Sequence, residues 1–151
     1  MPRFLPDTSC MVAAICGWHE HHERAAGEIE QRLERGDALV VAGPALVETY
    51  AVLTRLPSPH RLSPADSQAL LEASFMSDGA ETVALDADGY ARLLRGAAER
   101  GIAGGRTYDA VIVTCAQSAG VDAILNIQRA AVPGAGQSGH PGRRAGLTGF
   151  L

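Results

Sequence analysis

Three carboxylates stand where they could do chemistry together. Asp7 follows the short apolar run Phe4-Leu5-Pro6, Glu48 interrupts a mostly apolar stretch from Ala45 to Leu53, and Asp109 precedes Ala110-Val111-Ile112-Val113. Ile112, Val113 and Ala116 lie three, four and seven residues after Asp109, so on a helix all four share one face. Asp109 is therefore expected at the core-facing end of that helix rather than in open water. A lone carboxylate in such surroundings is costly, and it protonates or finds a partner. The partial positive charge of a helix N-terminus offsets only about 0.3–1 kcal/mol at exposed sites. Three carboxylates converging on one cleft also repel one another. A hard divalent cation such as Mg²⁺, which takes oxygen ligands and retains several waters, reconciles them. Each acid taken singly has a plainer reading, as a helix cap or as the ion-pair partner of Arg55 or Arg106.

Other clusters carry less. Trp18-His19-Glu20-His21-His22-Glu23 invites a zinc reading, but the His-Glu-x-x-His pattern needs histidine at position 23, where Glu23 stands. A hydrated helix start is the expectation there. Gly104-Gly105-Arg106 has neither the glycine spacing nor the lysine of a phosphate loop, although Arg106 could meet a phosphate near Asp109. A phosphohydrolase with Asp7 as nucleophile lacks its second acid, because Ser9 occupies that position. It also lacks its lysine: all 13 Lys and Arg residues are arginine. That composition excludes Schiff-base chemistry as well.

The elements that must position the acids follow from patterning. Phe4-Leu5-Pro6 reads as a first strand, with Pro6 at its last residue, where a missing N–H is tolerated. Thr8 or Ser9 is expected to cap a helix through Ile15, and Gly17 to stop it. A second, amphipathic helix spans about Glu20 to Arg35, followed by a strand over Ala38–Ala42 whose continuous apolar run suits a parallel sheet covered on both faces. Gly43-Pro44 opens the helix of Glu48, which Pro57-Ser58-Pro59 ends. Ser63-Pro64-Ala65-Asp66 starts another. Thr82–Leu85 is a third strand, Asp86 caps a helix to Arg100, and Gly101–Gly105 links to the helix of Asp109. A last short strand lies within Gly120–Ile127. Strands alternating with helices give an α/β layered domain, and in open α/β sheets the carboxyl ends of the strands form the binding crevice. Asp7 belongs at that rim, with Glu48 within about two helical turns of it.

A chain of 151 residues with 46% hydrophobic and 20% charged residues suits one globular domain. No apolar run is long enough to span a bilayer, and no export signal is read at the N-terminus, so no membrane association is expected. The odd set Cys10, Cys16 and Cys115 in apolar segments suits reduced, buried thiols and a cytoplasmic location. The net charge of −4 argues against a broad basic nucleic-acid surface but not against local contact with RNA. The domain is expected over residues 1–132. Residues 133–151, rich in Gly, Pro, Ser and Arg, are expected to form a flexible tail.

With the acids placed, the chain resembles the PIN-domain ribonuclease toxins of bacterial type II toxin–antitoxin pairs, the VapC type. The matching pieces are Leu5-Pro6-Asp7-Thr8-Ser9, then Pro44 through Leu56 around Glu48, then Tyr108-Asp109-Ala110-Val111-Ile112. The resemblance implies a PIN-like three-layer α/β/α fold with a short, mainly parallel central sheet. It implies hydrolysis of RNA phosphodiester bonds, with Asp7 and Asp109 holding Mg²⁺ or Mn²⁺ and Glu48 as a further ligand or an orienter of water. Thr8, Ser9 and Arg106 would support the site, Ser9 by hydrogen bonding to a ligand carboxylate or a water. The family's Thr-x-Asp/Asn motif after the last core strand is replaced here by Asn126-Ile127-Gln128, so the fourth ligand is expected to be an amide oxygen or water. A cognate antitoxin of the VapB type is implied, laying an arginine-bearing segment over the acidic cleft, as is a homodimer that pools basic residues into one RNA track. The alternative is a catalytically weak PIN-fold module acting chiefly as an antitoxin- or RNA-binding partner.

Overall fold

The computed structural model describes residues 1–127. Gln128 and the stretch 133–151 lie outside the described residues. Four strands, β1 (Arg3–Pro6), β2 (Ala38–Ala42), β3 (Glu81–Val83) and β4 (Ala123–Leu125), form one sheet in the order β3-β2-β1-β4. Every pairing is parallel. Six helices flank it: α1 (Thr8–Ile15), α2 (His22–Glu34), α3 (Gly43–Arg55), α4 (Pro64–Phe75), α5 (Ala87–Arg100) and α6 (Arg106–Ser118). This is the expected three-layer α/β/α arrangement with a parallel sheet.

The register places the site. Phe4 pairs with Leu39 on one side and with Ala123 on the other, so β1 lies between β2 and β4. Asp122 fastens the start of this pairing: its N–H donates to the Arg3 carbonyl and its Oδ2 accepts from the Arg3 N–H, each at 2.8 Å. The order in which strands are added reverses at β1, β2 and β3 lying to one side and β4 to the other, which makes the carboxyl ends of β1 and β4 the crevice of an open α/β sheet. Pro6 pairs with Leu125 as the last residue of β1, and its missing N–H is tolerated at that end.

The core is continuous from the sheet into the helices. Phe4, Leu5, Val40, Val41 and Leu125 are fully buried or nearly so, and Met11, Ala45, Phe75, Ile112, Cys115 and Ala116 pack into the same cluster. The central strands are apolar without alternation because both faces are covered. The edge strand β3 carries the exposed Glu81 and Thr82. All three cysteines are buried free thiols. Among the described residues no helix is long and apolar enough to cross a membrane.

Candidate active site

Asp7 is the pivot. It is the first residue after β1 and the N-cap of α1, and only 7% of its surface is exposed. Its Oδ1 accepts from the Ser9 hydroxyl at 2.7 Å and from the Cys10 N–H at 2.9 Å. Its own N–H donates to the Leu125 carbonyl at 3.0 Å, tying the residue to the end of β4. The sequence pointed to Thr8 or Ser9 as the cap. The cap is one residue earlier because β1 runs directly into α1, and an Asp side chain at that junction reaches the free N–H groups of the first turn. The role of the Cys10 backbone N–H also went unread, since no side chain marks it; the three-residue spacing from Asp7 was the available signal.

Both of these bonds to the Asp7 carboxylate use Oδ1. The fully enclosed side-chain polar atoms that lack a partner lie elsewhere, at Arg3 Nε and Ser67 Oγ. Burial pushes the Asp7 carboxyl above the ordinary aspartate value, the bonds from Cys10 and Ser9 pull it back, and the charges of Asp109 and Glu48 raise it again. Asp109 and Glu48 are thus the two acids whose charge reaches Asp7.

Each of the other acids reaches that neighbourhood through its helix. A helix leading into a parallel strand begins at the carboxyl edge of the sheet, so the first turn of α6 brings Asp109 to the rim. Glu48 lies in the second turn of α3, partly buried, and its Oε2 accepts from the Thr8 hydroxyl at 2.6 Å. Thr8 thus joins α1 to α3 across the cleft. Asp109 differs from expectation: it is exposed, and Val113 is 39% exposed. The buried face of α6 is Ile112, Cys115 and Ala116. Asp109 lies one turn before that face begins, in the first turn of the helix.

The ion pairs among the described residues, such as Arg32 with Glu28 at 2.7 Å, include none of the three acids. The pairing with Arg55 or Arg106 is not seen, whereas the cap reading holds for Asp7. Arg106 is the exposed first residue of α6. Asn126 follows β4 directly, on the same rim as Asp7. In the histidine cluster, His22 Nδ1 is 2.9 Å from the Ala13 carbonyl and Trp18 stacks on His60 with centroids 4.0 Å apart, so these residues fasten the α1–α2 turn to the segment after α3.

Among the described residues no three His, Cys, Asp or Glu side chains stand close enough, as placed, to hold an ion. In kind, the donors fit a hard divalent cation: they are carboxylate oxygens, and a cation among them would reverse their mutual repulsion.

The PIN domain family model matches residues 4–126. Ribonuclease VapC40 of Mycobacterium tuberculosis is 42% identical over 125 residues, covering 83% of this chain and 87% of that protein. The crystal structure of Mycobacterium tuberculosis VapC20, described as a sarcin-ricin loop cleaving toxin, superposes with a TM-score of 0.61 at 16% identity, over 80% of this chain and 86% of that one. VapBC2 of Rickettsia felis, bound to a DNA fragment from its promoter, superposes with a TM-score of 0.56 at 16% identity, over 82% and 86% of the respective chains. The chain belongs to the PIN domain family and, within it, to the VapC ribonucleases.

Proposed function

We propose that this protein is the toxin of a bacterial toxin–antitoxin pair and that it cleaves RNA phosphodiester bonds with the help of Mg²⁺ or Mn²⁺. The observation that carries the reading is the buried Asp7, with one carboxylate oxygen held by Ser9 and Cys10 and its pKa raised by burial and by the charges of Asp109 and Glu48. The 42% identity to a named ribonuclease supports the same chemistry.

Asp7 and Asp109 would hold the ion, with Glu48 as a further ligand or as the residue that orients an attacking water. A bound divalent ion supplies Lewis acidity, lowering the pKa of water and offsetting charge on the phosphoryl oxygens. The chain's own residues do the positioning. Ser9 and the Cys10 N–H fix the rotation of the Asp7 carboxylate, leaving Oδ2 as its donor. Thr8 holds Oε2 of Glu48, which leaves Oε1 to accept a proton from water. Arg106, at the start of the helix that carries Asp109, contacts a phosphate of the strand. Asn126, and Gln128 beyond the described residues, stand where the family has its Thr-x-Asp/Asn motif, so an amide oxygen or water completes the ligand set.

The partner is a VapB-type antitoxin that presents arginine to the three acids, since guanidinium matches carboxylates in a planar, bidentate way. The active form is a cytoplasmic homodimer. The second reading, a weakly catalytic module that binds antitoxin or RNA, draws on Asn126 replacing the family's Thr and on the absence of a preformed three-ligand cluster among the described residues. Cleavage of a panel of structured RNAs decides between them. Wild type should cut with Mg²⁺ or Mn²⁺ present and stop with chelator, and Asp7→Ala and Asp109→Ala should lose at least about a hundredfold in rate. Equal cutting by wild type and both variants would remove these acids from the site.

A further inference from the structure

Tyr108 is out of place for a core-facing aromatic. It lies four residues before Ile112 and seven before Cys115, on the side of α6 that is buried one turn later, where Ile112 is 3% and Cys115 1% exposed. Tyr108 is nonetheless 58% exposed. Large aromatic side chains dominate cores and interfaces because they carry so much apolar area, and this chain has few: three Phe, three Tyr and one Trp. Among the described aromatics, Trp18, 49% exposed, already stacks on His60, and Tyr50 is less exposed at 37%. Tyr108 makes no ring contact and no side-chain hydrogen bond among the described residues. Only its backbone is engaged, the N–H donating to the Gly105 carbonyl at 3.2 Å.

Its neighbours give the ring a setting. Asp109 follows it directly, and Arg106 stands two residues before it, exposed and outside every ion pair among the described residues. The helix starts abruptly after Gly104, whose φ of 60° is the left-handed conformation that glycine adopts without strain. One short segment thus carries a cation, an uncovered aromatic face and a candidate metal-binding carboxylate, all at the carboxyl edge of the sheet. Single-stranded nucleic acid is bound by this combination: cations meet phosphates, and aromatic rings stack against splayed bases.

We propose that Tyr108 is a nucleobase platform: its ring stacks on a base of the bound single strand and so holds that strand at the acids. The proposal rests on the ribonuclease reading. It commits to stacking by the ring and not to a hydrogen bond from the hydroxyl, so phenylalanine should replace tyrosine. A second copy of this chain or an antitoxin segment covering the ring is the competing account.

The test has two arms. In steady-state cleavage with Mn²⁺, Tyr108→Ala should raise KM about tenfold with kcat nearly kept, and Tyr108→Phe should stay within about twofold of wild type. In the second arm, binding of short single-stranded RNA is measured by fluorescence anisotropy in the Asp109→Asn background, using oligonucleotides in which each base in turn is removed. Tyr108→Ala should weaken the intact RNA about tenfold, yet leave unchanged the affinity for the one oligonucleotide lacking the stacked base. If wild type cuts no RNA while the binding arm behaves as expected, the nuclease reading fails and the platform stands. An unchanged KM and affinity in Tyr108→Ala would overturn the platform, as would an equal defect in Tyr108→Phe. A defect accompanied by loss of the dimer in size-exclusion chromatography would overturn it too, assigning the ring to a protein contact.

Discussion

Asp7 answers two demands that a single substitution can separate. As N-cap it accepts the Cys10 N–H, and as a buried carboxylate it sits where burial and the charges of Asp109 and Glu48 resist ionisation. Asparagine caps helices about as well as aspartate, whereas alanine forfeits roughly 1 kcal/mol. In chelator at neutral pH, Asp7→Asn should therefore melt at or above wild type and Asp7→Ala several degrees below Asp7→Asn. The pH dependence carries a sign. The folded-state pKa of Asp7 is raised, so between the ordinary aspartate value and the folded value the native state keeps a proton that the unfolded chain has released. Stability falls as pH rises through that window and stays reduced above it. The advantage of Asp7→Asn over wild type should thus grow from acid toward neutral pH, read by thermal melts in chelator across a pH series. A difference independent of pH would mean that Asp7 is not held in a depressed state of ionisation.

At the level of elements, caps and sheet register bring the acids together, and most of this was legible in the residues. Ser63 caps α4: its hydroxyl oxygen accepts the Asp66 N–H at 3.1 Å, and the hydroxyl donates to Asp66 Oδ2 at 2.8 Å. Ser63→Ala should cost about 1 kcal/mol, a few degrees of melting temperature, without altering metal uptake or cleavage, because α4 carries none of the acids. The continuous apolar run of Ala38–Ala42 and the Pro at the end of β1 announced a buried parallel sheet because those patterns report which faces are covered. Side-chain surroundings at element ends were less legible. Periodicity assigned Asp109 to the core side of α6, but periodicity does not report where along a helix burial begins, and here it begins at Ile112, one turn after the carboxylate. Likewise Thr82–Leu85 is β-like in composition, while the paired strand is Glu81–Val83, because the partner β2 sets the register through Val40 against Glu81. The exposure of Tyr108 had the same cause and went unread with it.

For the whole molecule, the net charge of −4 and the rim of acids favour a basic ligand over the cleft. Exposed apolar side chains on α3 and α5, including Val47 at 71% and Leu94 at 59%, offer area for a protein partner. A peptide carrying the arginine of the cognate antitoxin should inhibit cleavage, with a potency that falls as salt rises because charge attraction contributes to the encounter. Replacing that arginine with lysine should weaken inhibition about tenfold, since lysine cannot make the bidentate pair. Equal inhibition by both peptides would place the antitoxin contact away from the acids.

The claim on which the rest depends is that Asp7, Glu48 and Asp109 act as one divalent-ion site. Calorimetric titration of Mn²⁺ into wild type, Asp7→Asn, Glu48→Gln and Asp109→Asn tests it directly, without recourse to a substrate. The account predicts saturable uptake by wild type and a loss of about tenfold or more in affinity for Asp7→Asn and Asp109→Asn, with a smaller loss for Glu48→Gln. Wild type that takes up no ion at millimolar concentrations, or variants that bind as wild type does, would contradict it.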